Sequence, residues 1–143
     1  MNTKLNVKQL AMAWLVVFVI MTIFAYVPMK LEIAPWIPAG PQAAGGDEMT
    51  RKILIYLGRL LGAGLFAFIY TKTIEGKPSI GHGIRYGFGI SLLLYVPWLF
   101  SALALGDWPL SPLLIRTIIG MIEAIICGAV VAQMYKPNAP AAA

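Results

Sequence analysis

The stretch LLIRTIIGMIEAIICGAVVAQMY, residues 113–135, decides the fold of this chain. Its length matches the roughly 20 predominantly apolar residues that carry a helix across a bilayer. Near its middle stands Glu123. A charge at the centre of a spanning helix costs about 2.5–3.5 kcal/mol on insertion scales, so it is kept facing a partner or a wet cavity. Glu123 is therefore the chain's leading candidate for a functional or structurally committed residue.

Three further apolar runs, 10–29, 53–70 and 84–105, have the same character, and little chain is left between them. With 143 residues, 59% of them hydrophobic, only 12% charged and a mean hydropathy of +0.79, the composition belongs to lipid and not to water. Backbone in hydrocarbon must satisfy its own hydrogen bonds. Runs this long exceed the roughly 9–11 residues of a tilted barrel strand, which leaves helices. The fold expected is an all-α membrane protein, a four-transmembrane-helix bundle forming one domain over residues 1–136, with 137–143 a disordered polar tail. Lys4 and Lys8 ahead of the first run imitate a secretory signal, but the apolar core is too long and Tyr26-Val27-Pro28 offers no small-residue cleavage site.

Lys and Arg in the short connections set the orientation expected. Lys4, Lys8, Lys72, Lys77 and Lys136 gather at one end, whereas Lys30, Arg51 and Lys52 at the other are diluted by Glu32, Asp47 and Glu48. Both termini should be cytoplasmic. Trp36 and Trp108 would mark the outer interface, and Tyr70, Tyr86 and Tyr135 the inner one. The net charge of +5 reads as this bias, and there is no basic surface domain to serve a nucleic acid.

Ser111-Pro112 suggests a capped, sharp start to the fourth helix, and Asp47 or Thr50 a cap for the second. Pro97 should bend the third. Tyr26-Val27-Pro28 recurs as Tyr95-Val96-Pro97, and the spacing from Arg51 to Tyr70 equals that from Arg116 to Tyr135. Two parallel helical hairpins related by a pseudo-twofold along the membrane normal would give that pattern, as would interfacial residues recurring wherever a helix leaves the bilayer.

Small residues mark the close contacts. Gly120, Ala124, Gly128 and Ala132 recur every four residues on the fourth helix, Gly58 and Gly62 pair on the second, and Gly83 and Gly87 on the third. Such stripes let backbones approach where lipid supplies no hydrophobic drive, either within the bundle or at a seam between copies. Val131 falls on the side expected to face lipid.

The polar candidates are Arg59, Arg116 and Glu123. Arg116 and Glu123 share a helical face about 10.5 Å apart along the axis, and the depths of Arg59 and Glu123 nearly match. An Arg59–Glu123 pair is the most economical neutralisation, as a static lock or as part of a pathway. Arg85, with Lys72 and Lys77, can snorkel to a lipid headgroup. His82 as sole histidine and Cys127 as sole cysteine support neither haem ligation nor a zinc cluster, and no Walker lysine or nucleophile elbow occurs. No catalytic residue, metal or cofactor is assigned.

Glu75-Gly76-Lys77, Gly83-Ile84-Arg85-Tyr86-Gly87 and a fourth run closing in Tyr135-Lys136 resemble a pattern in small uncharacterised bacterial inner-membrane proteins with four predicted spans. The resemblance implies the four-span architecture and that membrane, and brings no activity with it. The expectation is a non-enzymatic inner-membrane protein in contact with membrane lipids, self-associating as a homo-oligomer or docked as an accessory subunit of a larger membrane complex. The alternatives are a small transporter or proton-coupled carrier titrating at Glu123 and a lipid- or quinone-binding component.

Overall fold

The structure, a computed structural model, describes residues 6–31, 48–74, 79–105 and 109–135. Each apolar run forms one helix: α1 Val7–Lys30, α2 Glu48–Thr73, α3 Ile80–Leu105 and α4 Leu110–Met134. All four are long and apolar enough to cross a membrane, and no strand occurs among the described residues. The chain is thus an integral membrane protein folded as an all-α four-helix bundle.

The helices outrun the apolar stretches where local chemistry supports another turn. The Asn6 side chain accepts the Gln9 N–H at 3.3 Å and so caps α1 before Val7. Ser79 does the same for α3, its Oγ accepting the His82 N–H at 3.2 Å. α4 starts earlier than Ser111-Pro112 implies: Pro109 holds the cap position at φ −60° and ψ 131°, no side chain caps it, and Ser111 lies inside the first turn. Thr50 is likewise inside α2. α3 runs unbroken through Pro97, and α1 through Pro28. Asp47, the aromatic markers Trp36 and Trp108, and the tail 137–143 lie outside the described residues.

Consecutive helices run antiparallel, so Val7, Thr73, Ile80 and Met134 share one end, here the terminal end, and Lys30, Glu48, Leu105 and Leu110 the other, the loop end. The closest pairing is α3 on α4, followed by α1 on α2 and α1 on α4, while α2 and α4 only graze. Glycine makes the α3–α4 contact. A Cβ placed on Gly83 would strike the Gly128 carbonyl oxygen and the Ala132 Cβ, one on Gly87 the Ala124 carbonyl oxygen, and one on Gly128 the Gly83 carbonyl oxygen. Here backbone touches backbone, as small-residue stripes allow. At Gly120 the neighbour is instead the Tyr95 ring.

α4 buries a second face as well. Cys127 and Val131 join Ala13 and Val17 of α1 and Ala63, Phe66 and Tyr70 of α2 in the core. Val131 is thus fully buried and not lipid-facing, because α4 is covered by α1 as well as by α3. Between α1 and α2 the fit is of another kind. The Trp14 indole N–H donates to the Leu60 carbonyl at 2.6 Å, and Gly64 leaves room for the ring, since a Cβ there would sit 2.9 Å from it.

α2 and α3 meet only through side chains, near the terminal end. The Tyr86 hydroxyl donates to the Phe66 carbonyl at 2.6 Å, and the Tyr86 ring lies edge-on to Phe66 and Tyr70 at 4.9 and 5.2 Å. Tyr70 and Tyr135 are accordingly buried, not exposed in an interfacial belt. Tyr135 closes the α1–α4 side, where its hydroxyl accepts the Asn6 N–H at 3.4 Å. Among the described residues nothing packs on Gly58 or Gly62: a Cβ on either would meet nothing within 4 Å. α2 turns Ala63, Phe66, Ala67 and Tyr70 to the core, which leaves that pair on its flank.

Candidate functional site

Every helix contributes to a polar cluster in the loop-end half of the bundle. On α2, Lys52, Tyr56 and Arg59 share a face through their i, i+4, i+7 spacing. The Arg59 guanidinium lies over the Tyr26 ring of α1, 5.3 Å from its centroid, and Tyr26 stacks with Tyr56 at 6.2 Å and 26°. Both tyrosines also feel the Lys52 charge. Arg59 Nη1 is buried and has no hydrogen-bond partner.

Across the bundle, Tyr95 of α3 rests on Gly120 of α4 within the electrostatic reach of Arg116 and Glu123. Glu123 feels Arg116 more strongly than Arg59. Neither arginine, however, comes within the 4.0 Å of Glu123 that defines an ion pair. The expected Arg59–Glu123 pair is therefore not formed. The helices explain why: α1 packs against both α2 and α4, which themselves barely touch, and Arg59 is drawn to the nearer Tyr26 face.

The other sequence candidates divide. Gly83, Gly87, Ala124, Gly128 and Ala132 come together at the α3–α4 contact. Lys72 is exposed, its Nζ 5.4 Å from the centroid of Phe68, and Arg85 is exposed near the start of α3. Lys77, the third member of that trio, lies outside the described residues. His82 packs edge-on to Tyr70 at 5.7 Å, and its Nε2 is buried without a partner. No group of three metal-ligating side chains occurs among the described residues.

Sequence reasoning missed the three tyrosines of the cluster. Tyr26 and Tyr95 stood in the recurring Tyr-Val-Pro motif, which was the available signal. Tyr56 had none beyond its one-turn spacing from Arg59. Together the cluster offers two guanidiniums, one carboxylate and three phenols, an array suited to holding a polar group in an apolar medium.

Comparison with family models, with curated proteins and with solved structures finds no match for this chain. What fold and cluster define is therefore a class: a four-helix integral membrane protein with polar side chains from all four helices in its loop-end half.

Proposed function

We propose that this chain is a non-enzymatic component of the bacterial inner membrane, with cytoplasmic termini, that self-associates or docks as an accessory subunit through the loop-end half of α2. The observation that carries this reading is the exposure of α2. From Lys52 to Gly58 every residue is exposed, on all sides of the helix, while the terminal half of α2 is built into the core. Gly58 and Gly62 add a bare backbone strip that no described side chain fills, the small-xxx-small geometry that lets a second helix approach. The α4 stripe, by contrast, is consumed inside the bundle by α3, which moves the docking seam from α4 to α2.

Gly58→Leu and Gly62→Leu test it. A Cβ at either position meets no described atom within 4 Å, so the fold should survive while close approach of another helix is blocked. Native electrophoresis in mild detergent should show a smaller assembly for both variants, and an unchanged mass would refute the docking seam. A second reading, a carrier that titrates at Glu123, is favoured by the absence of an ion pair at that carboxylate. It requires Glu123→Gln to fold normally and to abolish proton-coupled flux in reconstituted vesicles.

A further inference from the structure

We propose that the cluster around Arg59 binds the anionic group, a phosphate or carboxylate, of an amphiphile whose apolar chain lies in the seam between α2 and α3. This site shares Gly62 with the proposed docking seam, so an amphiphile and a docked helix would compete for that part of α2.

Charge is the first argument. Among the described residues, Arg59 and Arg116 face a single carboxylate, Glu123, an excess of one positive charge within the spans of α2 and α4. A guanidinium stays protonated in proteins, so this excess cannot be relieved by giving up a proton. It can be relieved by an anion.

Geometry places the anion. Arg59 Nη1 is buried and donates to nothing, although a buried donor left unsatisfied is costly. Tyr26 offers that guanidinium a ring face, and the Tyr26, Tyr56 and Tyr95 hydroxyls are further donors in the same half of the bundle. An oxyanion accepts from a guanidinium fork and from phenols together. Arg59 lies about 10 Å below Lys52 along α2, a depth at which a headgroup drawn in from one leaflet keeps its chain in hydrocarbon.

The seam supplies the chain's path. α2 and α3 are tied by Tyr86, Phe66 and Tyr70 near the terminal end and form no extensive backbone contact elsewhere. Successive helical residues turn by about 100°, which sets Gly62 and Arg59 on the side of α2 that Phe66 turns toward α3. Gly62 of α2 and Gly89 of α3 both present bare backbone with nothing within 4 Å of a built Cβ. Leu93 and Phe100 of α3 are 68% and 66% exposed. The seam is apolar and faces lipid, and Arg59, whose Nη1 has no partner, lies by helix turn on that side of α2.

The test uses the full chain in a neutral detergent and reads its unfolding temperature against added phosphatidylglycerol, phosphatidylcholine or inorganic phosphate. A ligand that binds only the folded state raises that temperature. Phosphatidylglycerol should raise it, and the other two at equal concentration should not. Equal stabilisation by inorganic phosphate would assign the site to a free anion and overturn the amphiphile. Equal stabilisation by phosphatidylcholine, or no response to any probe, would overturn the site itself. Arg59→Gln should need on the order of tenfold more phosphatidylglycerol for the same response, as loss of a charge-assisted hydrogen bond implies, while Lys8→Gln, an exposed cation near the terminal end, should respond as the parent does. Should Arg59→Gln not fold, Glu123→Gln gives the opposite sign: with the competing carboxylate neutralised, half-maximal response should come at lower lipid concentration. An unchanged response in Arg59→Gln, or a weakened one in Glu123→Gln, refutes the assignment.

Discussion

Gly87→Ala and Gly58→Ala are the same chemical change in two helices of one bundle, and the structure gives them opposite signs. At Gly87 the new Cβ would sit 2.8 Å from the Ile125 Cα and 2.9 Å from the Ala124 carbonyl carbon, besides striking the Ala124 carbonyl oxygen. Carbon atoms rest at about 3.5–4.0 Å, so the shortfall is roughly 0.7–1 Å. Every obstructing atom belongs to the α4 backbone, which has no rotamer to change. The two helices must therefore separate, and a gap of roughly 0.5–1 Å forfeits a quarter to a half of each dispersion contact along the seam. That places Gly87→Ala near the upper end of the roughly 1–3 kcal/mol typical of overpacking. At Gly58 nothing lies within 4 Å, and the only effect left is helix propensity, a gain of at most roughly 1 kcal/mol. The two variants should thus differ by about 3 kcal/mol or more. Titrating the purified chain in micelles with a denaturing detergent, and following helicity by circular dichroism, measures both. A Gly87→Ala variant as stable as the parent would refute the backbone contact between α3 and α4.

Further outcomes follow from the same geometry. Arg59→Gln and Glu123→Gln should be additive to within about 0.5 kcal/mol in a double-mutant cycle, because α1 and not Glu123 receives Arg59; a coupling above about 1 kcal/mol would restore the ion pair. Tyr86→Phe removes the hydrogen bond to the Phe66 carbonyl and should cost about 0.5–1.5 kcal/mol. It should also widen the terminal-end distance between spin labels on Thr73→Cys and Ser79→Cys in a Cys127→Ser background, and an unchanged distance would show that the ring contacts alone hold α2 to α3. In that background, an impermeant thiol reagent added to intact cells should label Leu31→Cys and spare Ser79→Cys, and the reverse pattern would invert the proposed orientation.

The sequence made the four helices legible because lipid imposes one rule on the backbone and runs of apolar residues report it directly. It also made legible which residues stand at close contacts, but not which contacts. Gly83, Gly87 and Gly128 carry the same signature as Gly58 and Gly62. Only the presence of α3 across from α4, and of nothing across from the flank of α2, tells them apart. The Arg59–Glu123 pairing failed for a related reason. Matching depth along two helices is a condition for contact, but adjacency is set by the order in which helices pack, and that order puts α1 between them.

Set side by side on the recurring motif, the two hairpins differ at the positions that form their seams. When Tyr26 is aligned with Tyr95, Trp14 and Phe18 of α1 fall where α3 has Gly83 and Gly87. The second hairpin can therefore close until backbones touch. The first is held apart by an indole, and needs Gly64 on α2 to seat it at all. When Arg51 is aligned with Arg116, the position of Glu123 is held on α2 by Gly58. One half thus carries the carboxylate and a closed backbone seam, the other an arginine on a ring and a bare glycine flank. In a two-fold arrangement, the contact of α1 with α4 would be mirrored by α2 with α3, yet the latter is reduced to side-chain contacts at the terminal end. The asymmetry traces to a few positions: glycine against Trp14 and Phe18 in the first helices of the hairpins, and Glu123 against Gly58 in the second. At those positions α2 and α3 lack the backbone contact that closes α3 on α4.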